Sequence, residues 1–140
     1  MKVSIVFWSG TGNTEAMANA IGEGAGGAGA EVVLKSVDKA CEADVLDADV
    51  ALLGCSSMGD EVLEEAEFEP FVASIEKKIG GKKVALFGSY GWGDGQWMRD
   101  WDERMKKAGA VLVCESLIVN ETPEGDDLEK CRDFGRKAAV

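Results

Sequence analysis

Three short stretches of this 140-residue chain carry residue types that could do chemistry together. The first, Ser9-Gly10-Thr11-Gly12-Asn13-Thr14, is built of glycines, hydroxyls and one amide and holds no positive charge. Glycine lets backbone N–H groups turn inward, and a helix starting at the end of the stretch would present the positive end of its dipole. Such a loop can hold a phosphate dianion with amides and hydroxyls alone. The same residues also make a plain turn and helix cap, which is the competing reading. The triphosphate pattern G-x-x-x-x-G-K-[ST] is absent. The dinucleotide fingerprint is incomplete, because Glu15 stands where its third glycine belongs, although Asp38 could serve as the ribose-binding acid.

The second stretch is Ser56-Ser57-Met58-Gly59-Asp60-Glu61 and the third is Ser89-Tyr90-Gly91-Trp92-Gly93-Asp94-Gly95. Trp92, isolated between glycines, is a large flat surface that is costly to leave in water. Met58 is polarizable and accepts a planar partner. On separate loops the two could clamp a flat aromatic ring. Alternatively, Trp92 could be a lid packed on Trp97 and Trp101.

The elements that position these stretches follow from periodicity. Short apolar runs at 3–8, 31–37, 50–55 and 83–88, with a pair at 111–113 and 117–119, alternate with helical spacing at 14–28, 67–79, 95–108 and from 123 onward. Gly29, the Gly80-Gly81 pair and Gly109 close three of the helical segments, and Pro70 stands near a helix start, where proline is tolerated. The alternation predicts an α/β fold, one domain over residues 1–140, with a parallel sheet covered by helices on both faces. Sheets of this kind bind ligands outside the carboxyl ends of their strands, where strand order reverses. Each of the three stretches follows directly on an apolar run. One local conflict stands out. Gly22, Gly24, Gly26 and Gly27 crowd the end of the first helical segment, at about 1 kcal/mol each relative to alanine. Close packing against the sheet would account for them.

Composition narrows the function. With 26 acidic against 15 basic residues the net charge is -11, which argues against nucleic acid and anionic membranes and for basic protein partners. No apolar run reaches about 18 residues and no cleavable leader pattern opens the chain, so a cytoplasmic protein is expected. The four cysteines form no C-x-x-C pair and there is no histidine, which leaves no zinc signature. Cys55 and Cys114 fall within strand-like runs and read as structural thiols. The stretch after Cys55 lacks the arginine that a cysteine phosphatase or arsenate reductase needs. Trp8, Ser9 and Cys55 stand where a phospho-accepting receiver domain would carry acids.

Taken together, the loop Ser9–Thr14, the stretch Met58-Gly59-Asp60-Glu61 and the stretch 87–93 resemble those of a short-chain bacterial flavodoxin, and the resemblance runs over essentially the whole chain. It implies a three-layer fold with a five-stranded parallel sheet in order 2-1-3-4-5 and one noncovalent FMN. By position, Ser9, Thr11, Asn13, Thr14 and Ser56 would bind the phosphate, with Gly10, Gly12 and Ser57 also at the cofactor. Met58 and Trp92 would face the isoalloxazine ring from opposite sides, Gly59 and Asp60 would lie near its N5, and Glu61 would accept from N3–H. Backbone groups of Ser89, Tyr90 and Gly91 would meet the pyrimidine end, Gly93 would also belong to the cofactor site, and Trp8 and Asn120 would reach the flavin edge. Other family members stack a tyrosine outside the ring, which makes Tyr90 the alternative to Trp92.

The function so implied is that of a low-potential one-electron carrier, an electron-transfer protein and not an enzyme. The alternative is an FMN-dependent reductase acting on a small substrate such as a quinone, but the short chain offers no extra segment to cover one. Asp60, Glu61, Glu64, Glu65, Glu67 and Glu69 follow one another without a lysine or arginine. Beyond solvating a helix face, they would oppose the build-up of negative charge on the flavin and steer the basic surfaces of partner oxidoreductases into transient complexes with a monomeric carrier. The Gly59–Asp60 peptide is expected to swing its carbonyl toward N5 when the flavin takes up a proton, since glycine tolerates the change of turn type.

Overall fold

The computed structural model describes residues 1–58, 62–91 and 93–139. Gly59, Asp60, Glu61 and Trp92, each expected at the cofactor, lie outside the described residues. The elements run β1 (Lys2–Trp8), α1 (Asn13–Gly27), β2 (Glu31–Ser36), a 3-10 turn (Val37–Lys39), α2 (Glu42–Leu46), β3 (Val50–Cys55), α3 (Phe68–Ile75), β4 (Lys83–Tyr90), α4 (Gln96–Lys107), β5 (Val111–Leu112), β6 (Leu117–Asn120) and α5 (Asp126–Ala138).

The strands pair in parallel in the expected order, β2-β1-β3-β4-β5. The fifth position is shared by two pieces. β5 pairs with the start of β4 at Lys83 and Val84, and β6 pairs with its end from Phe87 to Tyr90. Between them the chain leaves the sheet, and Ser116 Oγ hydrogen-bonds Asp102 of α4. Cys114 therefore sits half-buried outside any strand, in place of the strand interior read from the sequence.

Alternation along the inner strands divides the core into two layers. Val6, Leu53, Cys55, Val84 and Leu86 face α3 and α4, where Phe68, Trp97 and Trp101 are buried. Ile5, Phe7, Leu52 and Phe87 face α1 and α5. Every residue of β3 is buried, as befits a central strand covered on both sides. Burying each of these large side chains contributes roughly 1.5–3 kcal/mol.

α1 and α5 cross so closely that a Cβ on Gly24 would stand 1.9 Å from the Arg132 carbonyl oxygen, and one on Gly135 would stand 2.1 Å from that of Ile21. The glycines of the first helix are thus only partly explained by the sheet: a Cβ at Gly22 would make ordinary contacts with Ile5, Val32 and Leu34, Gly27 has open space, and the demanding position packs on a helix instead.

Two further differences have local causes. α2 spans only five residues, too few to show a helical period, and is held at its start by the Cys41 N–H donating to Asp44 Oδ2 at 2.8 Å. α3 begins at Phe68 and ends at Ile75, short of the expected 67–79, because the chain turns after Glu76 with the Lys78 N–H returning to the Ile75 carbonyl at 2.8 Å.

Candidate cofactor site

Register places the ends of three strands side by side: Trp8 opposite Cys55, and Gly54 opposite Phe87. The loops that follow β1, β3 and β4 consequently gather at one edge, at the point where the order reverses from β1 toward β2 on one side and β3 on the other. A cleft of about 230 Å³ opens there, lined by Trp8, Gly10, Thr11, Asn13, Ser56, Ser57, Met58, Ser89, Tyr90, Gly91 and Glu121. Roomier depressions lie elsewhere, about 480 Å³ beside Arg104, about 530 Å³ beside Lys82 and about 360 Å³ beside Cys114 and Lys130, but each is lined by charged side chains and none combines apolar walls with converging neutral donors.

The phosphate-type loop is assembled from local rules. Gly12 takes φ 95°, a left-handed turn that a Cβ would oppose, and its N–H donates to Ser9 Oγ at 3.0 Å. α1 starts at the next residue with no side-chain cap. The amides of its first turn thus keep their donor capacity for something outside the helix. The Asn13 side-chain oxygen accepts from Thr122 Oγ at 3.2 Å, which ties this loop to the segment after β6.

Beneath the cleft lies a hydroxyl cluster. Thr14 is fully buried, its Oγ 2.7 Å from Ser56 Oγ and 3.3 Å from Ser89 Oγ, and it accepts the Ser89 N–H at 3.3 Å. The Ser57 N–H donates to the Ser89 carbonyl at 3.0 Å, locking the loop after β3 to the end of β4. Ser9, Gly12 and Thr14 shape and support the loop without lining the cleft, and Gly93 (φ 88°) is exposed and does not line it either.

On the apolar side, Met58 lines the cleft and is 36% exposed there, which leaves its side chain open to a planar partner. Tyr90 leans on Trp97, with ring centroids 5.5 Å apart at 46°. Trp97 is buried and donates its indole N–H to the Cys55 carbonyl at 3.2 Å. Both Trp97 and Trp101 belong to the core, the latter edge-on to Phe68 at 5.4 Å. Burial pushes the Cys55 thiol up to about 12, so it is an inert structural group and no nucleophile.

Sequence reasoning passed over Glu121. It is the sole non-glycine with positive φ (58°) among the described residues, and it lines the cleft. Its N–H and the Asn120 side-chain amide both donate to the Tyr90 carbonyl, at 2.7 and 3.1 Å. Asn120 thereby braces the cleft wall rather than lining the cleft. A signal was available in the position of both residues, directly after the last apolar run and hence at the same sheet edge.

The acidic run divides in three dimensions. Glu64 is buried and Glu69 is paired with Arg104, while Glu65 and Glu67 remain exposed.

A doubly wound parallel sheet with a donor-rich, cation-free loop and a cleft at its switch point defines the class of α/β proteins that bind a phosphorylated ligand at that edge. The family profile "Flavodoxin" matches residues 5–135, and the chain belongs to that family. It is similar to the flavodoxin of Clostridium beijerinckii, 53% identical over 137 residues that cover 98% of this chain and 99% of that one. It is also similar to the flavodoxin of Megasphaera elsdenii, 48% identical over 98% of each chain. The solution structure of two-electron reduced Megasphaera elsdenii flavodoxin superimposes with a TM-score of 0.90 over 98% of each chain. As a flavodoxin, the protein is an electron carrier with FMN as cofactor and passes electrons to partner oxidoreductases; the quinone-reductase alternative is not favoured.

Proposed function

We propose that FMN occupies the cleft with its phosphate on the Ser9–Thr14 loop and its ring against Met58. The uncapped start of α1 carries this reading: N–H groups and the hydroxyls of Thr11 and Ser56 converge there with no lysine, which suits a small dianion held by neutral donors. Bound FMN supplies one-electron redox chemistry. Ser9 holds the loop closed through Gly12, and buried Thr14 fixes the Ser56 and Ser89 hydroxyls beneath it. Met58 covers one ring face and excludes water there. By the family resemblance Trp92 would take the other face, Gly59 and Asp60 would lie near N5, and Glu61 would accept from N3–H.

The 140 residues work as one FMN-binding unit in the cytoplasm, as a monomer that meets basic surfaces of its partners in short-lived complexes. No helix among the described residues is long and apolar enough to cross a membrane. Titration of the apoprotein with FMN and with riboflavin tests the phosphate assignment. Hydrogen bonds to a charged group contribute roughly 1.5–3 kcal/mol each, so FMN should bind at least about a hundredfold more tightly. Equal dissociation constants would remove the phosphate from this loop.

A further inference from the structure

Glu64 stands two residues past Val62, which is bridged to Met58 at the cleft. Met58 and Val62 bond to each other in both directions, each N–H to the other's carbonyl at 2.9 Å, an isolated antiparallel bridge. Two residues on, the Glu64 side chain folds into its own turn. Oε2 accepts the Ala66 N–H at 2.8 Å, and Oε1 accepts those of Glu67 at 2.8 Å and Phe68 at 2.9 Å. The Glu64 N–H points to Cys55 Sγ at 3.5 Å, at the end of β3, and its carbonyl accepts the Glu69 N–H at 2.8 Å. Glu64 is 8% exposed, whereas its neighbours Glu65 and Glu67 face solvent.

α3 has no side-chain cap from its own N-cap position. Three amides that would otherwise go unpaired therefore converge on a single carboxylate. The carboxylate fixes Glu64 to the start of α3, the Glu64 backbone N–H meets Cys55 Sγ at the end of β3, and the Met58–Val62 bridge lies two residues before this junction.

We propose that Glu64 is a positioning residue for Met58, holding the Met58–Val62 bridge in the geometry that receives the flavin. The inference rests on the proposed placement of FMN against Met58. Its chemistry requires a carboxylate specifically. Glutamine could keep the two bonds to one oxygen, but its NH2 group would face the Ala66 N–H, donor against donor.

The test compares Glu64→Gln with Glu65→Gln, which removes the same charge one residue away on an exposed side chain. Amide hydrogen exchange at Met58, Val62 and Ala66 is measured in the apoprotein, alongside FMN titration. Glu64→Gln should speed exchange at all three amides and weaken FMN by about tenfold, while Glu65→Gln stays within about twofold of the parent in both. If the two variants behave alike, Glu64 acts only as a charge and the inference falls. Should Glu64→Gln fail to fold, exchange in the parent protein decides. With the inference correct, the amides of Met58, Val62, Ala66, Glu67 and Phe68 open as one cooperative unit and slow together when FMN is added. Separate opening, with protection gained at Met58 and Val62 alone, overturns it. A parent protein that binds FMN without protecting Met58 or Val62 at all overturns the placement of the ring instead.

Discussion

Glu64 and Glu65 are adjacent, chemically identical and differently used. Solvent surrounds one, while the other is folded inward onto three amides. For Glu64, desolvation by burial works to raise the carboxyl's titration point, but the N–H groups of Phe68, Glu67 and Ala66 outweigh it and hold the group below the usual carboxylate range. The sign of the consequence follows. A native value below the unfolded one contributes stability that is present in full above the ordinary carboxylate value and is lost as pH falls through the lowered native value. Urea melts across an acid pH series should therefore show stability falling below that ordinary value, with a shallower acid slope in Glu64→Gln. Identical slopes would mean that the carboxylate gains nothing from its three donors.

At the scale of elements, the crossing of α1 and α5 is the tightest constraint in the molecule's helical layers. Alanine at Gly24 would drive a methyl into the Arg132 carbonyl, and a backbone cannot yield as a flexible side chain can. Gly24→Ala should destabilise by about 1–3 kcal/mol. Gly26, two residues on, would bring a Cβ only to 3.9 Å from Val32 Cγ2, an ordinary contact. Gly26→Ala should stabilise by about 0.5–1 kcal/mol, the conformational entropy that glycine loses in a helix. Thermal melts of the two variants should move in opposite directions. If both fall, the α1 backbone is under some other restriction near its end.

For the whole molecule, the net charge of -11 sets long-range behaviour, but its distribution decides where that charge is felt. Arg104 of α4 accounts for part of the acidic run. It grips Glu69 with two bonds, at 2.7 and 2.6 Å, and Glu76 with two more, at 2.9 and 3.1 Å. Glu65 and Glu67 keep their field in solvent, where a basic partner can meet it. Association with such a partner should slow by roughly tenfold or more as ionic strength rises from low to physiological, with little change in the dissociation rate. Stopped-flow mixing with a positively charged electron acceptor measures this. A salt-independent rate would remove steering from the carrier's function.

Much of this protein is legible in its sequence because the signals are local. Apolar runs mark the four long strands, glycine with hydroxyls marks the loop before α1, and a loop that follows a parallel strand must emerge at the carboxyl edge of the sheet. Those rules alone bring Gly10, Thr11, Asn13, Ser56, Met58, Ser89 and Tyr90 to one cleft. Tertiary structure decided what depends on partners distant in the chain. Arg104 reaches Glu69 across 35 residues and Glu76 across 28, a pairing set by how α3 lies against α4. Gly24 is required by the carbonyl of another helix, and the Thr14 hydroxyl finds Ser89 across 75 residues only once β1 and β4 flank β3. Six acids within ten residues look alike as a sequence, because charge is a property of each residue, whereas burial and pairing are properties of the packed chain.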